Sequence, residues 1–199
     1  MPRHPPEPIG PAAPLHHGGI TMSHVSLIAR TDTTGGTREL LDQIDGAFGT
    51  TPAMFRAVAN SPAALRSMWG SFQALGDGTF GPALTEQIAV AVANRNSCEY
   101  CLAAHTGLGR KAGLSTAALA SAQVGEADDP KTAALLGLAL ALVEQRGAVD
   151  DEQLDRARAL GWTDADIVEL IAHVALNLFT NYVNVALRVP ADFPAVALR

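Results

Sequence analysis

The stretch that decides the fold covers residues 86–105 and reads EQIAVAVANRNSCEYCLAAH. Its first half is apolar, and its alanines favour a buried helix. Its second half contains both cysteines of the chain, Cys98 and Cys101, followed by His105. If Cys98 opens a helix, these three residues lie at i, i+3 and i+7 and share one helical face. The stretch therefore predicts two consecutive helices, the second of which displays a cysteine–histidine cluster.

The rest of the sequence extends the helical prediction. Of the 199 residues, 48% are hydrophobic, 17% are charged and only 5% are aromatic, which is enough apolar material for a sizeable core. Glycines at 49, 113 and 161 end helical stretches, and Thr163 with Asp166 predicts a capping box that opens the last long helix. No segment alternates with a period of two residues. The predicted fold class is therefore all-α, a helical bundle.

The first two dozen residues differ in composition from the rest. Six of the twelve prolines lie within residues 1–14, and four of the six histidines lie within residues 1–24. We predict a disordered tail over residues 1–24 and a single helical domain over residues 37–199. The tail has no apolar region typical of a signal peptide, and no run of 18 apolar residues predicts a transmembrane helix, so we expect a cytoplasmic protein with no membrane partner. The net charge of −6, without a basic stripe, argues against nucleic acid as a partner.

The two thiols are the groups best suited to carry chemistry. A thiolate is the reactive form, and its pKa falls near a helix N-terminus, within C-x-x-C or beside a histidine, all of which are available here. Two thiols at this spacing can close a disulfide, as in a redox couple. Glu86, twelve residues before Cys98, could fold back in a helical hairpin and orient His105 as a base. The predicted catalytic residues are Glu86, Cys98, Cys101 and His105, with no metal and no organic cofactor.

These four residues resemble a known family pattern. Their spacing, E-x(11)-C-x-x-C-x(3)-H, is similar to that of the alkyl hydroperoxidase D (AhpD-like) core of the carboxymuconolactone decarboxylase superfamily. GLGRKAG at 107–113 and NLFTNYVN at 177–184 also look like the peroxidase-related members, so the resemblance covers roughly residues 38–187. It implies an all-α, obligate homo-oligomer (dimer, trimer or hexamer). It also implies an antioxidant thiol-dependent peroxidase or disulfide reductase, with glutamate, histidine and cysteines in a proton relay.

The resemblance also narrows the expected reaction. Decarboxylases of the superfamily typically lack the cysteine pair, so the pair argues against lactone decarboxylation. The best-known hydroperoxidase has a second histidine just before the second cysteine, where this chain has Tyr100, and no relay role is assigned to that position. The expected partners are a small hydroperoxide as substrate and an external dithiol or redox protein as reductant.

The sequence leaves alternatives for which cysteine attacks the substrate and for what kind of site the four residues form. The helix dipole favours Cys98 as the attacking thiol, whereas His105 favours Cys101; we favour Cys101 as peroxidatic and Cys98 as resolving. Both thiolates, the imidazole and Glu86 could instead bind zinc, or the cysteines could be structural core residues. A reductase of protein disulfides and a non-catalytic redox-sensing oligomer are the alternative functions.

The last predicted helix has two distinct sets of residues. Its polar residues recur at helical spacing on an otherwise apolar helix, and they predict a hydrogen-bonded seam between helices or subunits, or else a contribution to a pocket. Its apolar residues are spaced to share a second face. The polar set is His173, Asn177, Thr180, Asn181 and Asn184, and the apolar set is Ile167, Leu170, Ile171, Val174 and Leu178.

Overall fold

The computed structural model describes residues 23–199. Within this range the chain forms α-helices and no strand, which confirms the predicted all-α class for the described part. Residues 1–22 of the predicted tail lie outside the described range. The helices are α1 (Gly35–Phe48), α2 (Ala53–Val58), α3 (Pro62–Gly76), α4 (Pro82–Arg95), α5 (Glu99–Lys111), α6 (Thr116–Ala122), α7 (Pro130–Glu144), α8 (Asp151–Ala159) and α9 (Asp164–Ala186). No helix of residues 23–199 combines the length and hydropathy needed to cross a membrane.

Helix α4 lies at the centre of the bundle. Every residue from Ile88 to Ala93 is buried, and the helix packs against α5, α7 and α9. A helix that is apolar on all sides is stable only when other helices surround it. Because α4 has fixed neighbours on several sides, side chains at its ends, such as Glu86, have defined surroundings.

The helix ends follow the local sequence. Ser61 accepts a hydrogen bond from the backbone of α3, and Asp129 caps α7 in the same way. Thr163 and Asp166 form the predicted capping box at the start of α9. Gly49 ends α1 with a φ of 75°, a conformation that glycine adopts without steric cost. These caps explain why the predicted and observed helix ends agree to within a few residues.

A tight elbow joins α4 to α5. The Ser97 amide donates to the Asn94 carbonyl at 3.0 Å, and the Cys98 amide donates to the Ala93 carbonyl at 2.9 Å. This pairing is a Schellman motif, in which Ser97 occupies the left-handed position with a φ of 53°. Cys98 is at the same time the N-cap of α5, because its Sγ accepts from the Cys101 amide at 3.4 Å. The elbow therefore turns the chain within three residues and folds α5 back along α4.

Helix α9 is oriented differently from the usual amphipathic helix. Ile167, Leu170 and Val174 are buried as the sequence predicts, but Ile171 from the same predicted apolar face is 46% exposed. The reason is that the polar set described above is entirely buried and occupies the inward face. Two apolar strips flank that polar set, and only one of them can face the core.

Candidate active site

The α4–α5 elbow places Glu86 against His105. The Glu86 Oε2 and His105 Nδ1 atoms lie 2.8 Å apart, and each side chain is only 14% exposed. The helical hairpin expected from the spacing thus brings these two residues together, although they are 19 positions apart. A carboxylate on Nδ1 fixes the ring orientation and leaves Nε2 free to exchange a proton.

The two cysteines are free thiols in the interior. Cys98 is 1% exposed and Cys101 is 2% exposed, and each belongs to the hydrophobic core. The sulfur of Cys98 lies at the N-terminus of α5, and Cys101 follows one turn later on the same face as His105. The structure therefore gathers all four predicted site residues into one cluster, in which Cys98 and Cys101 are buried and Glu86 and His105 are partly buried.

Electrostatics distinguishes the two sulfurs. A hydrogen bond from the Cys98 thiol is the main cause that lowers the pKa of Cys101 well below its usual value. Burial acts in the opposite direction, and the positive charge of His105 lowers the pKa further. The same hydrogen bond, with burial, raises the pKa of Cys98 far above its usual value. This arrangement favours a Cys101 thiolate beside a protonated Cys98, in line with Cys101 as the nucleophile.

The imidazole of His105 is biased toward its charged form. Burial alone would lower its pKa, but the Glu86 carboxylate and the Cys101 thiolate together raise it above the usual histidine value. Both shifts favour a negatively charged sulfur next to a positively charged ring. Such a pair provides both a nucleophile and a proton donor.

The polar set of α9 contributes a contact that the sequence analysis does not assign. The Asn184 Nδ2 atom donates a hydrogen bond to the Cys101 Sγ atom at 3.1 Å, and both residues are buried. The neighbouring Asn181 also lowers the pKa of Cys101, and its Oδ1 accepts a hydrogen bond from Asn96 Nδ2 at 2.9 Å. The periodic polar residues in NLFTNYVN were the available signal, and they form a seam between helices that reaches the reactive sulfur.

Two cavities meet at His105. The larger, about 330 Å³, is lined by Glu86, His105 and several aromatic and aliphatic side chains. The smaller, about 120 Å³, reaches Cys101 and is lined mainly by apolar groups. Phe48, Phe72, His105 and Leu108 line both cavities. A small apolar molecule could therefore bind with one end against the sulfur and the relay.

Tyr100, between the cysteines, faces a different partner. Its hydroxyl donates to Asp192 Oδ2 at 2.5 Å, and the same carboxylate oxygen accepts from the Ala53 amide at 2.7 Å. Burial, reinforced by Asp192, raises the pKa of Tyr100 far above its usual value. Phe193 packs edge-on against the ring and lines the smaller cavity. Tyr100 therefore anchors the C-terminal segment as a wall of the site and makes no contact with His105 in the relay.

The donor arrangement gives the zinc alternative no support. Within residues 23–199, no group of three or more histidine, cysteine, aspartate or glutamate side chains is arranged to hold a metal ion. The lowered pKa of Cys101 has a sufficient cause in its neighbours Cys98, His105 and Asn184. Cys101 differs from an ordinary core cysteine because Asn184 donates a hydrogen bond to its sulfur and it borders a cavity that His105 also lines.

Comparisons with known proteins agree with this geometry. Residues 62–127 match the model of the carboxymuconolactone decarboxylase family. An uncharacterized peroxidase-related protein with an alkylhydroperoxidase AhpD core, from Ralstonia eutropha JMP134, has a TM-score of 0.78 at 22% identity, covering 87% of this chain and 94% of its own. A peroxidase-related protein from Silicibacter sp. TM1040 has a TM-score of 0.73 at 20% identity, covering 90% and 96%.

A third similar structure is that of a debrominase. The debrominase Bmp8, in complex with 2,3,4-tribromopyrrole, has a TM-score of 0.73 at 17% identity and covers 86% of this chain and 94% of its own. A comparison with curated protein sequences gave no significant match. Residues 62–127 are thus similar to the carboxymuconolactone decarboxylase family, and the fold of this chain is that of solved structures with an AhpD core, in line with the resemblance seen in the sequence.

Proposed function

We propose that this protein is a thiol-dependent hydroperoxide reductase in which Cys101 is the attacking residue. The observation that carries the proposal is the surroundings of the Cys101 sulfur. It borders a cavity, is hydrogen-bonded to Asn184, and lies beside a His105 ring that Glu86 holds in place. These surroundings stabilise a thiolate at neutral pH and supply a proton to the leaving group.

The first step consumes the peroxide. The Cys101 thiolate attacks the terminal oxygen of ROOH, an S–O bond forms, and the O–O bond breaks. The departing alkoxide takes a proton from His105 and leaves as ROH, while Cys101 becomes a sulfenic acid. Glu86 keeps the charged imidazole oriented through this transfer.

The second step resolves the sulfenic acid. The Cys98 sulfur attacks the Cys101 sulfur, the S–O bond breaks, and the hydroxyl group of the sulfenic acid leaves as water with the proton of the Cys98 thiol, which the neutral His105 can carry. The result is a Cys98–Cys101 disulfide. An external dithiol then reduces this disulfide by exchange and restores both thiols. No organic or metal cofactor is needed for this cycle.

Burial of both sulfurs favours a small substrate over a protein one. With exposures of 1% and 2%, neither thiol can meet a disulfide on another protein without prior opening of the structure. The apolar cavities beside the sulfur instead suit a small organic hydroperoxide. This argument weighs against a protein disulfide reductase. A redox sensor would show the same first turnover but no sustained consumption, and the cytoplasmic location stays a prediction.

A second candidate is reductive dehalogenation of a small aromatic ring. One structural neighbour is a debrominase bound to a brominated pyrrole. In this chain, Phe48, Phe72 and Phe193 line the cavity that reaches Cys101, so a flat ring fits the same space. Two thiols can supply the two electrons that replace a C–Br bond with C–H, releasing bromide and forming the disulfide. Bromide release from tribromopyrrole, measured beside peroxide consumption, separates the two activities.

The deciding experiment follows peroxide consumption with a small dithiol as reductant. Wild-type protein should turn over an organic hydroperoxide repeatedly, and Cys101→Ser should abolish turnover. Cys98→Ser is the matched control: without the dithiol, it should consume about one equivalent of peroxide and stop at a trappable sulfenic acid on Cys101. A Cys98→Ser/Cys101→Ser variant that still consumes peroxide would contradict the proposal.

A further inference from the structure

The larger cavity of the site contains a second histidine that the proposed cycle does not use. His173 on α9 lines this cavity together with Glu86 and His105, and its side chain is only 3% exposed. The charge of Glu86 also acts on the His173 ring, which indicates that the two groups are close. Two imidazoles from different helices, α5 and α9, therefore border one space of about 330 Å³.

The Nε2 atom of His173 is buried and has no hydrogen-bond partner among the described residues. The Glu169 Oε1 atom lies 3.8 Å away, beyond hydrogen-bond range, and already accepts from the amides of Thr79 and Phe80. A buried nitrogen without a partner costs free energy that a bound polar group can recover. His173 is therefore suited to bind a polar group that enters the cavity.

The ring of His173 is held in a fixed position. It stacks on Phe80 with 5.4 Å between the ring centroids and 25° between the ring planes, and Phe80 packs edge-on against Trp162. A side chain that is already in place loses little conformational entropy when a ligand binds. The packing thus pre-organises His173 for recognition.

The charges around the ring favour an uncharged ligand. Burial lowers the pKa of His173, although the charges of Glu169 and Glu86 oppose this effect, so the ring is neutral at pH 7. A neutral imidazole has one donor and one acceptor, and either of them can pair with a hydroxyl group. An anionic group would instead meet the nearby carboxylates of Glu86 and Glu169, with no positive charge on His173 to offset them.

The size and lining of the cavity indicate where the rest of the ligand lies. At about 30 Å³ for one water molecule, the cavity has room for about ten non-hydrogen atoms. Its other walls are mainly apolar, and they include the four residues that also line the smaller cavity, which reaches Cys101. A molecule can therefore extend from the sulfur past His105 to His173.

We propose that the larger cavity binds the organic part of the substrate, and that His173 forms a hydrogen bond with a hydroxyl group at its far end. The substrate class is then an uncharged organic hydroperoxide of about ten or more non-hydrogen atoms, with a hydroxyl group remote from the peroxide. This substrate class rests on the proposed function, which supplies the hydroperoxide group. The binding site itself can be tested without turnover.

The first test measures binding by titration calorimetry on the Cys98→Ser/Cys101→Ser protein. Three stable alcohols serve as probes: cumyl alcohol, its para-hydroxymethyl derivative and its para-carboxylate derivative. The para-hydroxymethyl probe should bind about 3- to 10-fold more tightly than cumyl alcohol, which is the range for one neutral hydrogen bond. The para-carboxylate probe should bind more weakly than either.

Substitution of His173 assigns the preference to this side chain. In the same background, His173→Phe keeps a flat ring against Phe80 but removes both nitrogens, so the affinities of the two uncharged probes should become equal. Thr106→Val is the matched control and should keep the preference, because the Thr106 hydroxyl is also buried without a described partner but lines neither cavity. The comparison of the three probes needs no change at His173, so it decides the polarity and charge of the site even if His173→Phe does not fold.

Three results of this test would overturn the proposal. They are a para-hydroxymethyl probe that binds no more tightly than cumyl alcohol, a preference for it that persists in His173→Phe, and a para-carboxylate probe that binds most tightly. The last result would assign recognition to Lys111, a positively charged residue that lines the smaller cavity.

The second test separates the role of His173 from the proposed function. With a dithiol as reductant, the wild type should reduce para-hydroxymethyl cumene hydroperoxide with a kcat/KM about 3- to 10-fold above that for cumene hydroperoxide, and His173→Phe should remove this difference. Equal kcat/KM values in the wild type would refute His173 as a binding residue and leave the proposed function intact. The predicted binding preference without any peroxide turnover would refute the proposed function, and with it the hydroperoxide class, while confirming His173 as the binding group.

Discussion

The amide of Asn184 should set the pKa of the attacking sulfur. The substitution Asn184→Leu keeps the approximate shape of the side chain but removes the single hydrogen bond, 3.1 Å long, that α9 donates to Cys101. A hydrogen bond to a charged group contributes about 1.5–3 kcal/mol, and 1.36 kcal/mol corresponds to one pKa unit, so the pKa of Cys101 should rise by about 1–2 units. Stability should change by less than about 1 kcal/mol, because the Asn184 Oδ1 has no partner in the described structure and leucine removes that unpaired atom.

The assay is a pH titration of a single thiol. In a Cys98→Ser background the Cys101 thiolate can be followed by its ultraviolet absorbance and by its alkylation rate, while serine keeps a hydroxyl near the sulfur. Thr180→Val is the matched control: Thr180 shares the buried face of α9, but its hydroxyl donates to the Asn177 carbonyl. The reasoning is refuted if Asn184→Leu leaves the pKa of Cys101 where the parent has it, or if Thr180→Val moves it equally.

Two further predictions concern Glu86 and Tyr100. Glu86→Gln removes the carboxylate that raises the pKa of His105, so the effect of burial should dominate and this pKa should fall. Less of His105 is then protonated at neutral pH, and peroxide reduction should slow. A raised histidine pKa stabilises the fold at pH values below the unfolded pKa of about 6.5, and this stabilisation is lost as the pH rises through the folded pKa. The difference in unfolding free energy between the wild type and Glu86→Gln should therefore be largest at low pH. Urea titrations that give a pH-independent difference would contradict this. Tyr100→Phe removes the donor to Asp192 and should cost about 1–3 kcal/mol of unfolding free energy. Turnover per folded molecule should stay within about twofold, and a large loss of turnover would give Tyr100 a role in the relay that its geometry does not suggest.

Local signals in the sequence were sufficient for the helices and for most of the site. Thr163 marks the start of α9 because its side chain accepts a backbone hydrogen bond there, and Gly49 marks the end of α1 because it adopts a left-handed conformation. The short link between α4 and α5 forces a helical hairpin, which is why Glu86 could be placed against His105 from spacing alone. Interactions that depend on fewer than about twenty consecutive residues were therefore predictable.

Contacts between distant helices could not be read in the same way. Asn184 and Cys101 are separated by 83 positions, and no local pattern indicates which helix face meets the sulfur. For α9, the sequence gives two apolar strips on either side of a polar one. Helical spacing assigns Ile171 to the same apolar face as Ile167 and Leu170, whereas the buried polar seam leaves Ile171 exposed. Under the proposed function this exception has a reason, since a thiolate in the interior requires polar neighbours.

The double role of Cys98 has a mechanical consequence. Its amide closes α4 and its sulfur opens α5, so one residue belongs to the ends of two helices. A reaction that draws this sulfur toward Cys101 alters the cap of α5, and any adjustment at the elbow changes the angle between the helices that carry Glu86 and His105. In the proposed cycle, the oxidation state of the pair would in this way be transmitted through the backbone to Glu86 and His105.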